Sequence, residues 1–365
     1  MAGTHPSVLF VHTYYPEFLQ HLYADDPALA DLTFEKQRAH VLATGFCLSD
    51  AYSHGFRTLG CQAHDVIVNA DLMQARWAKE HGLKLHGNIH DKRRQIIAAQ
   101  IDRYRPDVLY VFEWCPLGDE FLSEIKSRLR LMVGQIASPL PENRTFMAYD
   151  LMVSSWPPIV EYFRGQGTQA ELLKLAFDRR VLERLDVQPA QYDVTFVGGF
   201  APSHPDRIEW LERLLENIDI DIFGYGAEQT AEDSAVRSHH QGHAWGWRMY
   251  DVLQRSRITL NRHAQIDVCG RLATNVANNM RLYEATGVGT CLVTEHKTNL
   301  AEMFEPGREV VAYEDEADCV EKVRYFLSHE GERRAIAEAG QARTLREHTY
   351  AARMEELLEM LQSRL

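Results

Sequence analysis

One stretch in the last third of the chain decides how the rest is interpreted: residues 278–294 read NNMRLYEATGVGTCLVT. The two asparagines are good helix caps, so we predict a short helix that ends at Gly287 and Gly289, where a left-handed residue is needed. An apolar run then predicts a buried strand. Arg281 and the free N–H groups of the helix N-terminus together favour an anion. We therefore expect this stretch to hold a nucleotide diphosphate, with Glu284 reaching a sugar hydroxyl.

The composition is that of a globular protein with two domains of ordinary size. The chain has 365 residues, 45% hydrophobic and 25% charged, which is enough for two separate cores. No apolar run approaches the roughly 20 residues that span a bilayer, and the N-terminus does not resemble a signal peptide. Scattered cysteines without a C-x-x-C pair favour a reducing cytoplasm over disulfides or a zinc site.

The net charge of −13 argues against binding to nucleic acid, which requires a basic face. An acidic protein that binds a diphosphate must gather its positive charge locally. The positions of individual arginines in the second half are therefore informative.

The first half alternates apolar strands with helical segments. One long helical region is expected over 34–59, and strands are expected at Val8–Val11, Val66–Val68, Val108–Phe112, Leu131–Val133 and Leu151–Val153. Continuous apolar strands separated by helices predict a parallel, doubly wound α/β sheet. Ligands of such sheets bind at the carboxyl ends of the strands.

That rule selects His12, Glu113, Ser138, Ser154 and Ser155 as candidate site residues. His12 follows the first strand and Glu113 follows the third, and either one can serve as a general base. Each also has an ordinary interpretation, because His12 can simply hydrogen-bond its loop and Glu113 can cap the next segment.

A proline and several polar residues at 188–192 mark the expected boundary, so we place the domains at 1–188 and 189–340, with a C-terminal helical segment at 341–365. Strands of the second domain are expected at Asp193–Val197, Ile218–Phe223, Ile258–Leu260, Thr290–Val293 and Val310–Ala312. Gly198 and Gly199 follow the first of them and would let the backbone approach a ligand, although tight turns also use paired glycines. The order again predicts a doubly wound parallel sheet.

The blocks of the second half follow one another in a recognisable order. DVTFVGG at 193–199, FGYG at 223–226, ITLN at 258–261 and NMRLYEATGVG at 279–289 resemble the CgeB-like glycosyltransferases, close to glycosyltransferase group 1. The resemblance implies the GT-B fold, in which two Rossmann-like domains face one another across a cleft. It also implies that the C-terminal domain binds a nucleotide-diphosphate-sugar donor, that the N-terminal domain binds the acceptor, and that the last helix packs back on the N-terminal domain.

By the same resemblance, the donor-binding residues are Gly198, Gly199, Tyr225, Asn261, Arg262, His263, Arg271, Asn279, Arg281 and Glu284. Glu284 matches the second glutamate of the family's E-x7-E element, which typically contacts the donor ribose. Val276 stands where the first glutamate belongs. Arg262, Arg271 and Arg281 are the candidates that would neutralise the diphosphate in place of a metal.

No metal or other cofactor is expected. Asp219 and Asp221 form a D-x-D pattern, but they are expected in the middle of a strand, away from the carboxyl end of that strand. Two histidine groups lack nearby acids or cysteines that would complete a metal site: His86 with His90, and His239 and His240 with His243.

The sequence therefore predicts a metal-independent transfer of a sugar to an acceptor hydroxyl, with His12 or Glu113 as the base if the reaction inverts. Two alternatives stay open. One is a nucleotide-sugar epimerase or hydrolase on the same fold, and the other is a catalytically silent nucleotide-sugar-binding partner in a polysaccharide assembly.

Overall fold

The computed structural model describes residues 5–112, 117–200, 204, 206–227, 230–264, 275–277 and 279–365. The chain folds into two compact units, the first made of Met1–Lys174 and Met354–Leu365 and the second of Leu175–Arg353. Within the described residues, no helix is both long and apolar enough to cross a membrane.

The first unit is built on a six-stranded sheet. Its strands are β1 (Val8–His12), β2 (Ala63–Ile67), β3 (Val108–Phe112), β4 (Leu131–Gln135), β5 (Leu151–Ser154) and β6 (Ala170–Leu172). They pair in parallel in the order β2-β1-β3-β4-β5-β6. Strands β1, β3, β4 and β5 are buried along their whole length, as apolar strands covered on both faces should be. The strand order reverses between β1 and β3, so a ligand crevice is expected at their carboxyl ends.

The second unit is built on a five-stranded parallel sheet. Its strands are β7 (Tyr192–Val197), β8 (Asp221–Phe223), β9 (Ser256–Asn261), β10 (Cys291–Glu295) and β11 (Val311–Tyr313). Their order is β11-β10-β9-β7-β8, which places the switch point between β7 and β9. Alternate side chains of β7 enter separate cores on the two faces of the sheet, Phe196 with Trp210 on one face and Val197 with Tyr283 on the other.

Helices connect the strands in both units. They are α1 (Pro16–Asp25), α2 (Phe34–Ala43), α3 (Ala51–Thr58), α4 (Asp71–Glu80), α5 (Ile89–Tyr104), α6 (Asp119–Ile125), α7 (Pro157–Gly165), α8 (Arg180–Arg184), α9 (Arg207–Leu215), α10 (Ala235–Ser238), α11 (Trp247–Gln254), α12 (Arg281–Gly287), α13 (Glu316–Ser328), α14 (Glu330–Glu347) and α15 (Tyr350–Gln362). Short 3₁₀ helices lie at Pro27–Asp31, Lys126–Arg128 and Leu300–Glu302.

The long helical region predicted over 34–59 is in fact two helices, α2 and α3. Gly45, Cys47 and Ser49 lie between them with φ of 68°, 51° and 48°. An α-helix cannot continue through these left-handed conformations, so the chain changes direction there.

The division between the units lies at Lys174 and Leu175, earlier in the chain than the boundary expected at 188. Phe177 and Val181 explain the difference, because both side chains belong to the core of the second unit. The backbone N–H of Phe177 also donates to the carbonyl of His348, at 2.8 Å. At the other end, helix α14 lies in the second unit, whereas Met354–Leu365 belongs to the first.

The stretch at 278–294 differs from its prediction at both ends of α12. The N-cap is Met280, in helical conformation and without a side-chain cap, while Asn279 donates to Asn261 instead, at 2.8 Å; Asn278 lies outside the described residues. Gly287 is the last helical residue, and a Cβ there would overlap the Phe177 ring. Only Gly289 has the left-handed φ, 83°. The predicted strand follows as β10.

This packing yields a test on stability. Substituting alanine for a helical glycine normally stabilises a protein. At Gly287, however, the new Cβ would meet the Phe177 ring close to its attachment, so we expect Gly287→Ala to lower the free energy of unfolding by about 1–3 kcal/mol. Urea denaturation measures the change. The matched control is Gly331→Ala in α14, where the Cβ has no neighbour within 4 Å and the effect should be neutral or stabilising. Equal stability of the two variants would contradict this view of the Gly287 contact.

Candidate functional site

Two loops meet at the carboxyl edge of the second sheet. Gly198, after β7, donates its N–H to the carbonyl of Phe223 at 2.9 Å, and the Phe200 N–H donates to the carbonyl of Tyr225 at 2.9 Å. A side chain at Gly199 would overlap the Tyr225 ring. The structure thus brings together the three predicted residues Gly198, Gly199 and Tyr225, and the glycines permit this close approach of the two loops.

Three arginines converge at the same edge, beside the switch point between β7 and β9. Arg281, the first residue of α12, donates from Nη2 to the Val197 carbonyl at 3.0 Å. Arg207, the first residue of α9, donates to the Gly199 carbonyl. Arg262 follows β9. The pKa of Arg207 is lowered to about 10, first by burial and then by the charges of Arg262 and Arg281, while Tyr225 and Asp206 act in the opposite direction. The guanidinium groups are therefore close enough to repel one another.

Among the described residues, two carboxylates form ion pairs with these three cations. Asp206 pairs with Arg262, and Glu284 Oε2 lies 2.8 Å from Arg281 Nη1. In the part of the chain that the structure describes, the Nε atoms of Arg207, Arg262 and Arg281 are buried without a hydrogen-bond partner. Positive charge in excess of its counter-ions, with unused donors, is an arrangement that stabilises a bound anion.

Glu284 is buried within this cluster, with 6% of its surface exposed. Burial raises the pKa of its carboxyl group, and the neighbouring Arg281 opposes the rise. A buried carboxyl group beside an anion site can accept a hydrogen bond from a ligand hydroxyl.

A second group of predicted residues forms a polar cluster between β9 and β10. Asn261 donates to Thr294 Oγ1 at 2.9 Å and accepts from Asn279 at 2.8 Å, while His263 Nε2 lies 3.4 Å from Thr294 Oγ1. Among the described residues, His263 Nδ1 and Asn279 Oδ1 have no hydrogen-bond partner. The pKa of His263 is lowered to about 3 by burial first and then by the charges of Lys297 and His204. Its ring is therefore neutral at physiological pH.

His12 in the first unit lies at the carboxyl end of β1, where that sheet has its own switch point. Its Nε2 is 3.0 Å from Asp65 Oδ1, and both residues are almost fully buried. Ser53 hydrogen-bonds the other Asp65 oxygen, and the His12 ring stacks on Phe112 at 4.5 Å. A carboxylate that fixes one ring nitrogen of a histidine orients the other for proton transfer.

The remaining predicted residues either lie outside the described residues or lie apart from the two clusters of the second unit and from His12. Glu113 and Arg271 lie outside the described residues. Ser154 Oγ accepts from the Trp156 N–H at 3.0 Å and so serves its own turn, whereas Ser155 Oγ is buried without a partner among the described residues. Ser138 is half-buried in the loop after β4.

The aspartates and histidines that were candidate metal ligands are exposed or lie against other partners. Strand β8 begins at Asp221, so Asp219 precedes the strand, in contrast to its predicted mid-strand position, and lies 3.3 Å from His239. His240 bonds the Gly224 carbonyl at 2.8 Å, and His243 stacks on Trp245. His86 precedes α5, which contains His90, and both are exposed. Within the described ranges, no three His, Cys, Asp or Glu side chains are grouped to hold a metal.

Sequence reasoning missed three residues that complete these sites: Arg207, Asp206 and Asp65. The first two open the helix after the Gly198–Gly199 loop, where an arginine is usually a solvated residue of the first turn. Asp65 carried a usable signal, because a carboxylate inside the apolar strand AHDVI needs a buried partner.

Comparison with known proteins supports the same assignment of the fold. Residues 207–359 match the family described as "Glycosyl transferase-like", over somewhat less than half of the chain. No curated protein matches the sequence significantly.

Similar solved structures cover the whole chain. A glycosyltransferase from Rickettsia africae is 10% identical with a TM-score of 0.63, and covers 99% of both chains. Anabaena HepE in complex with UDP-glucose is 11% identical with a TM-score of 0.61, over 98% of this chain and 100% of its own. Sucrose-phosphate synthase from Thermosynechococcus elongatus is 9% identical with a TM-score of 0.57, over 98% of both chains. The likeness shows the fold: two parallel-sheet α/β domains of the GT-B type.

The buried His263 predicts a pH-dependent contribution to stability. In the unfolded chain its pKa is near 6.5, whereas in the folded protein it is about 3. The unfolded state therefore binds the extra proton first, and stability is lost as the pH falls below 6.5. Between pH 7.5 and 5.0 the wild type should lose roughly 2 kcal/mol more than His263→Gln.

Urea unfolding at the two pH values measures this difference. His86→Gln, a substitution of an exposed histidine, should retain the wild-type dependence. If His263→Gln also retains it, His263 is not held neutral in the folded protein.

Proposed function

We propose that the protein is a glycosyltransferase that moves a sugar from a nucleotide-diphosphate-sugar donor to an acceptor hydroxyl without a metal ion. The observation that carries this proposal is the convergence of Arg207, Arg262 and Arg281 at the switch point of the second sheet. In a chain of net charge −13, such a local excess of buried positive charge is suited to a diphosphate.

The arginines also supply the chemistry that glycosyl transfer needs. When the bond between sugar and phosphate breaks, negative charge grows on the departing nucleoside diphosphate. Arg281 and Arg207, which are already fixed by the carbonyls of Val197 and Gly199, stabilise that charge with little reorganisation. This is the role that a divalent cation would otherwise fill, and it is the basis for proposing metal independence.

We assign the sugar hydroxyls of the donor to the polar groups around the arginines. Glu284 is buried beside Arg281, where a ribose hydroxyl can donate to it. His263 and Asn279 have polar atoms without a partner among the described residues, and these suit further hydroxyls in a chain that has Val276 where the family's other glutamate belongs. HepE was solved in complex with UDP-glucose, so UDP-sugars are the first donors to test.

The acceptor base is assigned to the first unit. His12 is held by Asp65 through Nε2, which leaves Nδ1 to take the proton from an acceptor hydroxyl in an inverting transfer. Glu113 and Arg271 keep the roles that the sequence suggested for them, as base and as phosphate ligand.

The finer classification belongs to the same proposal. The order of the sequence blocks supports assigning the chain to the CgeB-like enzymes of polysaccharide or glycoconjugate biosynthesis. A cytoplasmic location is supported by Cys61, Cys291 and Cys319, which are buried free thiols.

Calorimetric titration with UDP, GDP, dTDP and ADP, followed by their sugars, tests the donor site. We expect one nucleotide to bind, and Arg207→Ala and Arg281→Ala each to raise its Kd by roughly 10- to 100-fold, because each removes a charge-assisted hydrogen bond. Arg248→Ala, which removes an exposed arginine from α11, is the control for net charge. If none of the four nucleotides binds, the donor site is wrongly assigned. The same holds if Arg207→Ala and Arg281→Ala bind the nucleotide as tightly as the wild type and the Arg248→Ala control do.

Turnover with a competent acceptor tests the base. His12→Asn and Asp65→Asn should reduce kcat by about 10²- to 10⁴-fold and leave the Kd of the donor unchanged. Product analysis with the donor alone separates transfer from the alternatives, since an epimerase or a hydrolase converts the donor without an acceptor. Undiminished turnover by His12→Asn would remove His12 from the mechanism.

A further inference from the structure

Asp206 lies where an aspartate normally caps a helix, yet it does not cap one. It is the N-cap residue of α9, and its side chain makes no hydrogen bond to the backbone of that helix. Its carboxylate pairs instead with Arg262 Nη2. Since aspartate is among the strongest N-cap residues, pairing with Arg262 has displaced an available and favourable local interaction.

The two carboxylates of the arginine cluster differ in how readily they can leave it. The Glu284 side chain is 8% exposed and lies one helical turn from Arg281 on the same helix. The Asp206 side chain is 38% exposed, whereas its partner Arg262 is 13% exposed and packed 5.2 Å above the Trp210 ring. Asp206 can therefore turn toward water, or toward the N–H groups of the first turn of α9, while Arg262 and Glu284 stay in place.

The cluster needs a counter-ion at Arg262 when no ligand is bound. A buried guanidinium without a partner is strongly unfavourable, and two further guanidinium groups stand nearby. Asp206 partly offsets their mutual repulsion, since its charge is among those that raise the pKa of Arg207. A diphosphate carries at least two negative charges and more acceptor oxygens than a carboxylate, so it can replace Asp206 at Arg262.

We propose that Asp206 is an internal competitor of the donor's diphosphate: it occupies Arg262 in the free protein, releases it on binding, and returns to expel the product. This inference rests on the proposed function and adds an affinity-setting residue to it. The product nucleoside diphosphate carries an ionisable terminal phosphate that the nucleotide-sugar lacks. Asp206 therefore opposes binding of the product more strongly than binding of the donor.

Calorimetric titration of Asp206→Asn tests the proposal, with whichever of UDP, GDP, dTDP and ADP binds the wild type and with its sugar derivative. Asparagine retains the ability to cap α9 and removes only the charge. We expect about tenfold tighter binding of the nucleoside diphosphate, corresponding to about 1.4 kcal/mol, and a smaller gain for the nucleotide-sugar. In turnover assays, Asp206→Asn should lower the inhibition constant of the product nucleoside diphosphate by a larger factor than it lowers the KM for the donor.

The matched control is Glu209→Gln, which removes one negative charge from the same helix at a side chain that is 72% exposed and paired with Arg213. It should change the affinity less than twofold. In the background of Arg262→Gln, Asp206→Asn should no longer tighten binding, because the competed group is gone. Should Asp206→Asn fail to fold, Asp206→Ser retains a capping side chain and serves the same test.

Unchanged or weaker binding by Asp206→Asn, or an equal gain in Glu209→Gln, would overturn the proposal and make Asp206 a fixed support for Arg262. That result is distinct from failure of the proposed function. If the wild type binds a nucleotide and depends on Arg207 and Arg281, the donor site stands and only the role of Asp206 is lost.

Discussion

The second unit is organised by the burial of three guanidinium groups at one edge of a sheet. Bringing Arg207, Arg262 and Arg281 out of water opposes folding, and their mutual repulsion adds to that cost. The structure offsets the cost with two carboxylates, two backbone carbonyls at the end of β7, and the faces of two aromatic rings, Phe196 and Trp210. The offset is incomplete, since the three Nε donors have no partner among the described residues.

The topology of the sheet makes this gathering possible. Because all five strands are parallel, the loops after β7, β8 and β9 open at one edge, and the reversal of strand order between β7 and β9 separates the helices that follow them. Arg207 arrives from the helix after β7, and Arg262 from the end of β9. Two positions at the same edge require glycine, because Gly199 lies so close to Tyr225, and Gly224 so close to Gly198, that no space is left for a Cβ. The order of the strands and the two glycine-containing loops thus determine the shape of this edge, and the arginines supply its positive charge.

The sequence was most informative where a pattern reports on burial, and least where long-range pairing decides. Apolar runs located the strands other than β6, because a strand covered on both faces must be apolar. The anion site expected at Arg281 and Glu284 stays a prediction. It was not evident that Asn279 would bond Asn261 and leave the start of α12 uncapped, because that choice depends on a strand 18 residues away. Arg207 was missed for the same reason: nothing local distinguishes a buried arginine at a helix start from a solvated one.

The first unit shows the complementary case, in which one buried carboxyl group is held by hydrogen-bonding side chains. Asp65 lies within a strand of an apolar sheet, and the described structure gives its carboxylate two side-chain partners, His12 and Ser53. Ser53 in turn accepts a hydrogen bond from the exposed Arg57, so the hydrogen bonds that begin at His12 extend through Asp65 and Ser53 to a cation near the surface. A buried carboxylate held in this way fixes the orientation of the His12 ring, because turning the ring would leave the charge unpaired. In the second unit, ion pairs and backbone carbonyls hold three guanidinium groups at one edge of the sheet, whereas in the first a network of hydrogen bonds fixes the orientation of one side chain. Each device is local to its own sheet, and each stands at the point where the order of the strands reverses.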